Sequence, residues 1–160
     1  MTKGGCAVFN IVLYHPEIPH NTGAAGRLAV ATGAKLHLIR PLGFSLEEKY
    51  VRRTGLDYWQ HVDLRLWDSL EELEAAAAPG ASFWFLSTKA QRSLWEASLP
   101  MRPGDYFVFG PESKGLPASW IAAHPETSLL IPMPGEHARS LNLSTSVAIM
   151  LYEGLRRATT

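Results

Sequence analysis

Short, continuous apolar runs alternate along this chain with stretches whose apolar residues recur every three or four positions. Ala7–Tyr14 (AVFNIVLY), Lys35–Ile39 (KLHLI), Phe83–Leu86 (FWFL), Tyr106–Phe109 (YFVF) and Leu129–Ile131 have the β-branched and aromatic character of strands, and Asp63–Trp67 carries it more weakly. Between them lie helical patterns. Ala25, Leu28, Ala29 and Thr32 share one face of Asn21–Thr32, with Asn21 or Thr22 as the expected N-cap and Gly33 as a left-handed stop. Glu47–Arg53 predicts a short helix. Ser69 and Glu72 form a capping box before an Ala-rich helix that Pro79-Gly80 should end. Val147, Met150, Leu151 and Gly154 follow i, i+3, i+4, i+7 spacing in the last helix, which the hydroxyls of Ser144 to Ser146 should start, with Ser144 as N-cap.

Strand–helix alternation predicts an α/β fold with a mostly parallel sheet covered by helices on both faces, and the continuous runs suit strands buried on both sides. No linker or internal repeat interrupts the 160 residues, which fit one domain over 1–160. No apolar run approaches the roughly 20 residues that span a bilayer. The N-terminus lacks a signal-like apolar stretch, and the single cysteine, Cys6, has no intrachain partner. These features predict a soluble cytoplasmic protein. The zero net charge argues against holding nucleic acid by bulk electrostatics and leaves room for local basic patches, of which Lys49, Arg52 and Arg53 are one.

In open α/β sheets ligands sit beyond the carboxyl ends of the strands. Three late strands run into unusual loops there: Ser87-Thr88-Lys89, Gly110–Pro117 (GPESKGLP) and Pro132–Ser144 (PMPGEHARSLNLS). Their glycines, prolines and hydroxyls suit a pocket that reads a flat heterocycle through main-chain groups. Familiar alternatives fail. G-x-G-x-x-G is absent, GPESKG lacks the G-K-[ST] ending of a phosphate loop, and Ser113 is not in G-x-S-x-G. Six scattered histidines and one cysteine give no metal-ligand spacing, so no metal is expected. Arg27 lies in a small-residue turn, GAAGRLA, after the polar loop PEIPHNTG, and is a candidate to meet a phosphate or a developing negative charge.

Three segments resemble, in order, the motifs of the SPOUT methyltransferases: PEIPHNTGAAGR (Pro16–Arg27), FGPESKGLP (Phe109–Pro117) and IPMPGEHARSLNLSTSVAI (Ile131–Ile149). PLGF (Pro41–Phe44), RRTGLDYW (Arg52–Trp59) and GDYFVFG (Gly104–Gly110) extend the likeness over nearly the whole chain. Within that superfamily the chain is most similar to the small single-domain enzymes that methylate the ribose of tRNA wobble nucleotide 34, cytidine or uridine.

The resemblance implies a C-terminal trefoil knot, a homodimer and bound S-adenosylmethionine. It implies cofactor contacts at Leu86, Gly110, Ile131, Ser140 and Leu141, and a dimer contact at Tyr152. It places Arg27 at the catalytic arginine position, with Asn21, Glu112 and Asn142 around it. The RNA surface is expected to include Lys49, Arg52, Arg53, Lys114 and Arg139, with the anticodon region of tRNA as partner. The motifs also admit a relative acting on ribosomal RNA or another tRNA position, or an RNA-binding relative without transfer. Retention of Arg27, Asn21, Glu112 and Asn142 favours catalysis.

Overall fold

A computed structural model describes residues 8–47 and 56–159 of the chain. Among the described residues, seven strands form one parallel sheet in the order β3-β2-β1-β6-β4-β7-β5. The strands are β1 (Asn10–Tyr14), β2 (Lys35–Ile39), β3 (Leu64–Trp67), β4 (Phe83–Leu86), β5 (Arg92–Ser93), β6 (Tyr106–Phe109) and β7 (Ser128–Leu130). The helices are α1 (Pro19–Thr32), α2 (Leu70–Ala76), α3 (Ala118–Ala123) and α4 (Leu143–Ala158), with a 3-10 helix at Leu56–His61.

The continuous apolar runs conceal a period of two. Ile11 and Leu13 of β1, Leu36 and Leu38 of β2, and Phe107 and Phe109 of β6 join one core cluster with Ala25 and Ala29 of α1 and Val147, Met150 and Leu151 of α4. Val12, Phe85 and Val108 point the other way and pack with Leu70 and Leu73 of α2 and Ile121 of α3. The predicted four-residue face of α4 is buried throughout. Gly154 belongs to it because any side chain there would meet the Phe107 ring.

β2, β4 and β6 have the predicted bounds. Gly33 ends α1 at φ 75°, a left-handed conformation that glycine adopts without strain. The capping box also forms. Ser69 Oγ accepts from Glu72 N at 3.1 Å, and Glu72 Oε2 accepts from Asp68 N, one residue earlier than the simplest pattern. α2 stops at Ala76, short of Pro79: Ala77 is already extended, at ψ 149°, one residue before the position that proline itself restricts. β7 lies one residue earlier than expected, and β5 and α3 carry no periodic signal long enough to predict them. The helix predicted over Glu47–Arg53 falls almost wholly outside the described residues.

Two predicted caps are displaced. α1 begins at Pro19, before Asn21 and Thr22, and its N-cap Ile18 has no side-chain cap bond. Proline at the first helical position is favourable because its missing N–H would have no intrahelical acceptor. α4 is capped by Asn142, whose Oδ1 accepts from Ser144 N at 2.9 Å and Thr145 N at 3.3 Å. Ser144 is therefore inside the helix, and its hydroxyl donates back to Asn142 Oδ1 at 2.6 Å.

Candidate functional site

The carboxyl ends of β4, β6 and β7, the three strands whose loops stand out in sequence, open into one cavity of about 470 Å³. Leu86 and the Ser87–Lys89 turn line it from β4, and Phe109 to Gly115 from β6. Ile131, Met133 and the segment from Arg139 to Leu143 line it after β7, and Ile18 and Asn21 close it from the start of α1. All five expected cofactor positions, Leu86, Gly110, Ile131, Ser140 and Leu141, are among these residues. So are Asn21, Glu112 and Asn142, and the exposed cations Lys114 and Arg139.

Gly110 is a steric necessity. A Cβ there would run into the backbone of Gly115 and Leu116, because the loop folds back on its own start. Gly115, at φ 71°, makes that return possible, and its N–H donates to Pro111 O at 2.8 Å. The result is a tightly folded main-chain wall in the cavity that Leu86, Ile131 and Leu141 also line.

The polar side of the cavity is a reciprocal clasp between two segments about 95 residues apart. The Glu112 carboxylate accepts from Glu17 N at 2.8 Å, Ile18 N at 2.9 Å and Asn21 Nδ2 at 3.1 Å. In return the Glu17 carboxylate accepts from Ser113 N and Ser113 Oγ, both at 2.8 Å. These donors hold the Glu17 carboxyl below its ordinary range, and nearby Lys114 adds to the effect. Glu112 thus supplies from a distant loop the anion that the start of α1 lacks locally. Asn21, freed from capping, accepts on Oδ1 from Asn142 Nδ2 at 3.1 Å. Asn142 caps α4 with its other amide atom, so a single chain of side chains fixes the starts of both helices beside the cavity.

The remaining candidates lie elsewhere. Arg27 is exposed on α1, outside the residues lining the cavity, with its guanidinium 5.7 Å from the centre of the Tyr58 ring. Tyr152 is exposed on α4, three residues from exposed Ile149. Lys49, Arg52 and Arg53 lie outside the described residues. Sequence reasoning missed Glu17 and its pairing with Ser113, and named Lys89 only as part of a loop. Glu17 and Ser113 become legible only when the two loops are brought together, since neither has a partner nearby in sequence.

The chain's fold and sequence have known relatives. The SpoU rRNA Methylase family matches residues 8–152, and the chain belongs to it. It is 45% identical over 151 residues to a tRNA (cytidine(34)-2'-O)-methyltransferase from Methylovorus glucosotrophus, covering 94% of this chain and 96% of that one. A solved structure described as giving insights into the 2-OH methylation of C/U34 on tRNA is 49% identical, with a TM-score of 0.87 over 96% of this chain and 97% of the other. A SpoU methyltransferase from Streptomyces viridochromogenes, solved in complex with AdoMet, shares the fold with a TM-score of 0.75 at 22% identity, over 92% of this chain and 57% of that one.

Proposed function

We propose that this chain is an S-adenosylmethionine-dependent tRNA methyltransferase that methylates the ribose 2′-OH of nucleotide 34, cytidine or uridine. The observation that carries the reading is the single cavity in which the three motif loops converge on the Asn21–Glu112–Asn142 chain. The close relatives named above support the substrate. The proposal includes one domain over 1–160, action in the cytoplasm as a homodimer, the anticodon region as the part of tRNA engaged, and the superfamily's C-terminal trefoil knot.

The cavity fits the cofactor. Its volume lies within the roughly 300–1,000 Å³ of small-molecule sites. Its lining pairs apolar side chains with a main-chain wall, which suits an adenine ring held by its faces and edges. When bound, S-adenosylmethionine supplies an activated methyl group. Leu86, Gly110, Ile131, Ser140 and Leu141 would hold it.

Glu112, Asn21 and Asn142 fix the shape of the reacting centre. The Glu112 carboxylate accepts from Glu17 N, Ile18 N and Asn21 Nδ2, donors that each position a neighbour, so its work is orientation rather than proton removal. Arg27 is assigned the phosphate beside the reacting ribose and the negative charge that develops on its 2′-oxygen, because a guanidinium is a strong donor and a poor base. Since Arg27 stands outside the cavity of a single chain, the centre is completed on assembly with tRNA or with a second copy. Ile149 and Tyr152 form the exposed α4 face assigned to that second copy. Lys114 and Arg139 at the cavity rim, together with Lys49, Arg52 and Arg53, are assigned to the RNA backbone.

The test is transfer of labelled methyl from S-adenosylmethionine to tRNA from a strain lacking the gene, with the modified nucleotide located by mass spectrometry. Label on the ribose of nucleotide 34 is expected. Label confined to ribosomal RNA or to another tRNA position would move the substrate, and absence of label on any RNA would remove the activity.

A further inference from the structure

Trp95 is 69% exposed, the most exposed large apolar side chain among the described residues. It sits in the turn after β5, where Glu96 N donates to Ser93 O at 3.2 Å. The loop does not need it for anchoring, because Leu94 and Leu99 on either side are buried in the core.

Two arginines pin this loop. Arg157 of α4 donates to the carbonyls of Leu94 and Ala97, each at 3.1 Å, and of Glu96 at 2.6 Å, while its Nε–H donates to Glu153 at 2.6 Å. Arg92 donates to the Glu96 carboxylate at 3.1 Å and to Ser98 O at 3.2 Å. The backbone that carries the indole is therefore already ordered in the folded chain, so a ligand there has to order only the side chain itself.

Its position follows from the sheet. β5 runs parallel to β7, with Ser93 opposite Leu130, and Ile131, which follows Leu130, lines the cavity. Neighbouring strands lie about 4.8 Å apart, so Trp95, two residues beyond Ser93, stands at the cavity end of the sheet on its outer edge. Exposed Lys89, after β4, and Arg139 lie at the same end.

We propose that Trp95 is a stacking platform for a nucleobase of the RNA flanking the methylated nucleotide. The surroundings favour a base over a protein surface. Glu96, Ala97 and Ser98, which follow it in the chain, are exposed and mostly polar, and among the described residues no other exposed large apolar side chain lies in this loop to build an apolar patch of the kind that docks proteins. A flat ring with a polar edge matches a base, and stacking of this kind tolerates any base identity. Lys89 and Arg139 at the same end of the sheet suit the phosphates on either side. The inference rests on the proposed action on tRNA.

The experiment compares the full-length chain with Trp95→Ala and Trp95→Phe in methyl transfer to total tRNA, measuring KM for tRNA, KM for S-adenosylmethionine, kcat, and assembly mass by light scattering. Trp95→Ala should raise the tRNA KM roughly 5- to 150-fold, the range given by loss of one stacked base. Trp95→Phe should retain most of the affinity, and cofactor KM, kcat and mass should stay unchanged. A tRNA KM within two-fold of wild type in Trp95→Ala overturns the proposal. So does a fall in assembly mass, which would assign the indole to contact between chains. If the wild-type chain methylates no tRNA, the proposed activity fails separately. Anisotropy with fluorescein-labelled single-stranded RNA then decides the platform: weaker binding by Trp95→Ala supports it, and equal binding overturns it.

Discussion

Replacing Glu112 by alanine removes three acceptor contacts at once: those to Glu17 N, Ile18 N and Asn21 Nδ2. Loss of a helix N-terminal acceptor costs about 1 kcal/mol. Asn21 is only 4% exposed, and a buried amide without its acceptor costs a further 1–3 kcal/mol or so. Because the Ile18 end of the clasp is open to solvent, water replaces part of what is lost, and a total of about 2–3 kcal/mol is expected. For a domain of this size each kcal/mol lowers the melting temperature by about 2–4 °C, so thermal unfolding followed by circular dichroism should show a fall of about 5–10 °C. Glu112→Gln retains one acceptor oxygen and sets an NH₂ against the remaining donors, and it should lose about half as much. Both variants should weaken S-adenosylmethionine binding in calorimetry, because Asn21 also holds Asn142 at the cavity. A Glu112→Ala variant that melts within 1 °C or so of wild type and binds cofactor normally would refute the view that the clasp shapes the site.

Asn142→Ala should lower stability to urea by about 1 kcal/mol, as loss of an N-cap does, whereas Ser144→Ala should cost only a few tenths; equal losses would return the cap to Ser144. Arg27→Ala should abolish methyl transfer while leaving S-adenosylmethionine affinity nearly intact, and Ser140→Ala should do the reverse in kind, raising the cofactor Kd with tRNA binding preserved. Burial pushes the His37 imidazole down to about 4, with Arg65 and Lys35 adding repulsion. Trp67 Nε1–H donates to its Nδ1 at 3.0 Å, so Nε2–H faces Asn10 Oδ1 at 2.9 Å. The folded value lies below the unfolded one, so the unfolded chain takes up the proton first. The contribution of His37 is whole above about pH 6.5 and falls by about 2 kcal/mol between pH 7 and pH 5. Urea unfolding at both pH values should show that loss in wild type and not in His37→Gln.

The sheet was legible where one strand carries its own signal. Lys35–Ile39, Phe83–Leu86 and Tyr106–Phe109 need nothing beyond apolar content and bounding turns, and both faces of each are buried as continuous runs require. The periodic face of α4 was legible for the same reason. What escaped depends on residues far apart. The start of α1 moved because its anion comes from Glu112, 94 positions from Ile18. The cap of α4 moved because the Asn142 amide faces both ways, a choice made by Asn21. Of the site, the loops and ten of their residues could be placed in one cavity from motifs and the strand-end rule, whereas the Glu17–Ser113 pairing has no local trace. β5 spans two residues, too few for any alternation to register.

The place of β6 has a consequence during synthesis. β1, β2 and β3 leave the ribosome in order and can pair at once, yet the other edge of β1 is reserved for β6, which also pairs with β4. About 90 residues separate Tyr14 from Tyr106, and at about 5–20 residues per second their translation takes roughly 5–20 s. Throughout that interval the nascent chain carries an unpaired, apolar strand edge, the kind of surface that recruits stray strands or chaperones.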